Sequence, residues 1–140
     1  MKLKDIVCDL EYAEKLKELG LVKEGIFKYY NPPIVDNRPY EVSDEFELTD
    51  SPSYTIAPHF NPINTYTVAE FGEMLPEYIE YNDTEIFLTS YKVDGSYESI
   101  YSNVVTGKEI FHKSDPKEAN ARAKLLIWLI ENKHVNPEEL

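Results

Sequence analysis

Three histidines, one cysteine and 26 carboxylates are the side chains of this 140-residue sequence best suited to chemistry. His59, His112 and His134 fall in separate segments, none four residues from another histidine, so no helical zinc pair is encoded. His59, followed by Phe60 and Asn61 in a proline-rich stretch, could join loop carboxylates to hold a metal and activate water. One imidazole gives such a site little selectivity. Cys8 immediately precedes Asp9 at the start of a predicted helix, a place that lowers a thiol pKa. No base or orienting group stands near it in sequence, so a small buried apolar role suits it better. A single cysteine excludes an internal disulfide and a cysteine metal cage, and fits a reducing cytoplasm. The five glycines are dispersed at Gly20, Gly25, Gly72, Gly95 and Gly107, so there is no phosphate-cradling loop. Acid pairs such as Asp44/Glu45 and Glu138/Glu139 are sequence neighbours, which does not make them a dyad facing across a cleft. The sequon Asn82-Asp83-Thr84 is idle without export. No catalytic set, metal site or cofactor motif emerges, and the sequence leans away from an enzyme.

The compositional signals are acidity and tyrosine. Fourteen basic residues stand against 26 acidic ones, a net charge of −12, while 42% of the chain is hydrophobic, enough for a core. That balance argues against direct nucleic-acid binding by counterion release and against an anionic membrane surface. The longest apolar run, Leu125 to Ile130, is far short of a membrane span, and Met1 to Asp5 lacks a signal-peptide core, so a cytoplasmic protein is expected. Eleven tyrosines are well above ordinary usage, and tyrosine supplies large amphipathic contact area at low entropic cost.

The elements that must position these residues begin with a helix capped by Asp9 and stopped by Gly20, with Leu10, Ala13 and Leu16 at helical spacing. A strand follows at Ile26–Tyr30. From Asn31 to Tyr66 six of the nine prolines occur, and up to Pro58 the acids Asp36, Glu41, Asp44, Glu45, Glu47 and Asp50 face only Arg38, a local charge of −5. This stretch, residues 31–66, reads as a long acidic loop pinned by Tyr40, Phe46 and Tyr54, with at most a short edge strand near Glu45–Leu48. Thr67 and Glu70 have capping-box spacing and open a short helix that Pro76 closes. Two or three strands follow, turned at Asp94-Gly95 and Thr106-Gly107, the last over Glu109–Lys113. Consistency of the two faces favours a three-residue turn ending at Gly95, pairing Leu88 with Ile100 and Phe87 with Tyr101. That register places Phe87, Tyr91, Tyr97 and Tyr101 on one aromatic face. The last helix, with Asp115 as cap, Pro116 first and Glu118 completing the box, is the most apolar, and residues 134–140 form a tail. Strands grouped and joined by hairpins predict one α+β domain over 1–140, with an antiparallel sheet of about 3–5 strands packed against three helices.

Three blocks together resemble a known group. They are Lys4-Asp5-Ile6-Val7 with the helix to Leu19 and Glu24–Phe27, then Thr67–Pro76, then Glu118–Lys124 with Leu129–Asn132. In order and spacing they are similar to small uncharacterised proteins that recur in bacterial prophage and phage-like regions, from which the proline-rich 31–66 segment departs. The resemblance implies a cytoplasmic accessory protein of a mobile element or its host and carries no catalytic residues.

Three functions remain open. The first is a non-enzymatic interaction protein, meeting a protein partner, basic in the extreme case, through acidic and tyrosine-rich surface. The second is a small-ligand binder whose pocket lies between the aromatic sheet face (Phe87, Tyr91, Tyr97, Tyr101) and a loop rim at His59 and Asn61. The third is a metal-assisted hydrolase centred on His59.

Overall fold

A computed structural model describes residues 2–35 and 38–140. Helix α1 (Leu10–Glu18) is followed by four short strands, β1 (Phe27–Tyr30), β2 (Pro33–Val35), β3 (Arg38–Val42) and β4 (Glu47–Thr49). After two 3-10 turns come β5 (Ile63–Thr65), α2 (Val68–Met74), the strands β6 (Tyr78–Tyr81), β7 (Thr84–Val93), β8 (Ser96–Ser102) and β9 (Glu109–Asp115), and finally α3 (Glu118–Glu131). The architecture is α+β with antiparallel pairing throughout, as the grouping of strands predicts. One sheet has the order β6-β7-β8-β9, a smaller one β4-β1-β5, and β2-β3 is a separate ribbon.

Helix α3 lies at the centre. Ala119, Ala121, Ala123, Leu125, Leu126, Ile127, Leu129 and Ile130 are all buried, so nearly every side of this helix must be covered. Strands β8 and β9 cover one side, while α1 and α2 pack on others. Its start is tied down by a polar network. The backbone N–H of Asp9 donates to Asn120 Oδ1 at 2.8 Å, and Asn120 Nδ2 returns a bond to Asp9 Oδ2 at 2.8 Å. Lys117 Nζ reaches the Asp9 carboxylate and the carbonyl of Lys4, and Lys124 Nζ meets Asp115 Oδ2 at 2.8 Å.

Those bonds correct two capping expectations. Asp9 sits at the N-cap of α1 but makes no side-chain cap bond, because its carboxylate is turned towards Asn120 and Lys117. Asp115 belongs to β9 and accepts from the Lys117 N–H at 2.8 Å, and Glu118 pairs with Arg122 instead of closing a box. The box at α2 is real. Thr67 Oγ1 accepts from the Glu70 N–H, and Glu70 Oε1 accepts from the Thr67 N–H at 3.0 Å. Glu70 is buried, and its second oxygen accepts from the Ile26 N–H at 3.1 Å, so one carboxylate joins the helix start to the approach to β1.

The 31–66 segment is not one loop. It contributes four strands, two of which flank β1, and buries Ile56, Ile63, Thr65 and Tyr66. Its prolines are compatible because of where they stand. Pro33 opens β2, Pro39 lies in a two-stranded ribbon, Pro52 and Pro58 belong to 3-10 turns, and Pro62 precedes β5. Phe46 packs on the core as expected, but Tyr54 is 88% exposed and pins nothing, and the Tyr40 side chain lies outside what is described. The expected tail folds back, with a 3-10 turn at Pro137–Glu139 and Leu140 against the core.

Two outcomes follow. Replacing Glu70 by Ala leaves the Ile26 and Thr67 N–H groups without their acceptor and should cost about 1–3 kcal/mol in urea unfolding. Burial works against the charge of Asp115, but bonds from Lys124, the Lys117 N–H and Asn120 outweigh it and hold the carboxyl below its ordinary 3.8. Its stabilisation is therefore present above that value and lost as pH falls through the lower folded one. The urea midpoints of wild type and Asp115→Asn should differ near neutrality and converge below about pH 3.8.

Candidate functional site

The β7–β8 turn decides what the large sheet displays. Asp94 and Gly95 both have positive φ, +50° and +77°, and Val93 pairs with Ser96, so this is a two-residue hairpin turn. Leu88 then faces Tyr101 and Thr89 faces Ile100, which corrects the expected register. Face consistency misled because the helix-covered side accepts a tyrosine: Tyr101 is fully buried, with its hydroxyl donating to the Pro76 carbonyl at 2.5 Å. Burial pushes that phenol's pKa well up.

The four expected aromatic residues therefore divide. Tyr97 and Tyr101 lie on the side facing α3, and Phe87 and Tyr91 on the opposite, outer side. A pocket lined jointly by Tyr91, Tyr97 and Tyr101 does not form. The same register brings in a residue that sequence reasoning missed. Tyr78 pairs with Phe87, its ring 5.6 Å away, because Asn82 and Asp83, both at positive φ, turn β6 back onto β7. Two adjacent residues that tolerate the left-handed region were the available signal.

Alternation along β6 to β9 sorts the charges as well. Glu80, Glu85, Glu98 and Glu109 fall on the outer side, with no Lys or Arg among the strand residues there; Lys92 and Lys113 fall on the helix side. Tyr78, Tyr91 and Val93 are 50, 42 and 46% exposed, so the outer face meets solvent with rings and carboxylates together. His112 contacts Glu98 through Nε2 on this face. Glu80 and Glu85 stand directly opposite each other, a like-charge pair that costs the hairpin stability.

The remaining candidates are placed elsewhere. His59 and Asn61 belong to the Pro58–Phe60 turn, with His59 edge-on to Phe60 and Asn61 in the left-handed region closing the turn. Glu41, Asp44, Glu45, Glu47 and Asp50 are exposed along β3, β4 and their flanks, whereas Asp36 lies outside the described residues. Among the described residues no three His, Cys, Asp or Glu side chains come together as metal ligands. Cys8 is fully buried, its thiol 3.3 Å from Thr65 Oγ1 and pushed up in pKa by burial, which suits the apolar role. His134 stacks on Trp128.

A cleft of about 540 Å³ opens where the segment before α1 meets the starts of α2 and α3, walled by Ile6, Val68, Ala69, Tyr97, Pro116 and Ala119. Its polar groups are already engaged within the chain: Thr67 with Glu70, Lys117 with Asp9, Glu118 with Arg122, and Asp5 with the Lys2 N–H. The three resemblance blocks each contribute to this cleft, which places them at a shared structural junction. No family model, curated protein or solved structure matches the chain. Among the described residues no helix is long and apolar enough to cross a membrane.

If the Glu80–Glu85 opposition is a standing cost, Glu85→Lys should raise stability by about 0.2–1 kcal/mol, read as a higher urea midpoint at low salt.

Proposed function

We propose that the protein is a non-enzymatic interaction protein whose outer sheet face binds a protein segment carrying arginine or lysine beside apolar side chains. The observation that carries this reading is the exposure of Tyr78 and Tyr91, beside half-buried Phe87, among Glu80, Glu85, Glu98 and Glu109, on a face whose described strand residues include no Lys or Arg. Phe87 is half-buried with the Tyr78 ring 5.6 Å from it, and Tyr78 and Tyr91 are exposed, so guanidinium groups can lie over the tyrosine rings while carboxylates receive their N–H groups. Such complementarity speeds encounter and excludes acidic competitors. The Glu80–Glu85 repulsion fits the same reading, since stability alone would favour opposite charges at this pair. The resemblance to phage-associated proteins suggests a setting, a cytoplasmic accessory of a phage or mobile element.

The test is amide-shift mapping by NMR with an acetylated, amidated peptide alternating arginine and phenylalanine. Shifts should concentrate at Phe87, Thr89, Tyr91, Glu98 and Ile100. They should weaken severalfold in Tyr91→Ala and in Glu98→Gln, and fade at about 1 M salt, where charges are screened beyond about 3 Å. Shifts confined to Glu41–Asp50, or insensitive to both substitutions, would overturn the assignment.

A further inference from the structure

On the other side of the sheet, α1, β9 and α3 border an open hollow of about 400 Å³, within the size range of small-ligand sites. Tyr12 and Trp128 supply aromatic wall, and Lys15, Lys113 and Lys124 supply charge, a concentration of lysine unusual in a chain of net charge −12. We propose that this hollow binds a small aromatic anion, its ring against Tyr12 and Trp128 and its carboxylate or phosphate on Lys113.

The lysines are not equivalent. Lys124 is held by Asp115 at 2.8 Å and by the Ser114 carbonyl at 2.9 Å, with its ammonium 5.7 Å from the Tyr12 ring centre. Lys15 stands 3.9 Å from Glu131, a loose pair. Lys113 is half-buried and, among the described residues, its ammonium has neither an ion pair nor a hydrogen bond. An ammonium with no internal partner is free to meet an anion without first breaking an ion pair. Glu11 is exposed and lines the same hollow, where its charge disfavours anions.

The aromatic wall is fixed before any ligand arrives. Phe111 packs on Trp128 with ring centres 3.8 Å apart, and His134 stacks on it at 5.4 Å and 17°. Pinning Trp128 removes the entropy that a mobile indole would lose on binding. Tyr12 is positioned by α1, whose start is bonded to Asn120 of α3.

Trp128 is the sole tryptophan, so its indole N–H gives one NMR signal inside the site. The probes are 2-naphthoate and its neutral counterpart 2-naphthamide, titrated against the full chain. Naphthoate should move the Trp128 signal and bind about tenfold more tightly than the amide. Lys113→Gln should lower naphthoate affinity to that of the amide while leaving the amide unchanged, and Glu11→Gln should raise naphthoate affinity. Neither side chain carries an ion pair among the described residues, so both variants should keep the wild-type urea midpoint. Equal affinity for the two probes, a Trp128 signal that does not move, or a Lys113→Gln variant that binds like wild type would overturn the proposal.

Discussion

The constraint on which the rest depends is that α3 is apolar on almost every side. A helix with eight buried aliphatic side chains over fourteen residues cannot lie on a surface. Each buried leucine or isoleucine is worth about 1.5–3 kcal/mol against exposure, so covering the helix outweighs any local preference of its neighbours. The chain meets this by laying β8 and β9 along one side and bringing α1 and α2 to others. One face of the four-stranded sheet is consumed in the process. The opposite face is only partly covered: Ile100 is buried there, while Tyr78, Tyr91 and Val93 meet water.

Apolar burial alone would not set how α1 approaches α3. That orientation comes from the reciprocal Asp9–Asn120 bonds, extended by Lys117 to Asp9 and by Lys124 to Asp115. Asn120 is 4% exposed, so each of its amide bonds is made where water cannot substitute. The network links the end of β9, the start of α1 and the first turn of α3. Those three elements also border the lysine-lined hollow. The Asp9 carboxylate, free in sequence to cap its own helix, is drawn into this longer-range role because the Lys117 ammonium lies beside it.

What the sequence made legible was local chemistry. Thr67 with Glu70, the apolar run of α3, the strand ended by Asn31-Pro32-Pro33 and the hairpin order all follow from signals within a few residues. The register at Asp94-Gly95 does not, because the two faces of the hairpin and its turn favour different pairings. Asp-Gly itself favours two left-handed residues, and that preference prevailed. The four strands within 31–66 are hidden because high proline content resembles a loop, although a proline at a strand start or edge costs no ladder bond. The lysine hollow was beyond reach for another reason. Its lining comes from residues 11–15, 113 and 124–131, which only the docking of α1 on α3 brings together.

Charge shows best how fold and surface are coupled. The −12 of the whole chain suggests uniform repulsion, yet strand alternation sends glutamates outward and lysines inward across a single sheet. On the covered side Lys113 lines the hollow between α1, β9 and α3, and Lys92 holds its ammonium 5.1 Å from the Tyr97 ring centre, so both can lay their alkyl stems along the sheet and keep the charge at its margin. Glutamates cannot match that, since their stems are shorter and their charge is costlier to bring near an apolar helix. They are left to the open face, where rings that the core did not take also remain. Once α3 claims one side, the same alternation that buries Ile86 and Tyr101 must present Phe87 and Tyr91 beside Glu85 and Glu98. An acidic aromatic surface is thus the other half of the sheet's packing, and a partner able to use it needs the opposite charge and a tolerance for rings.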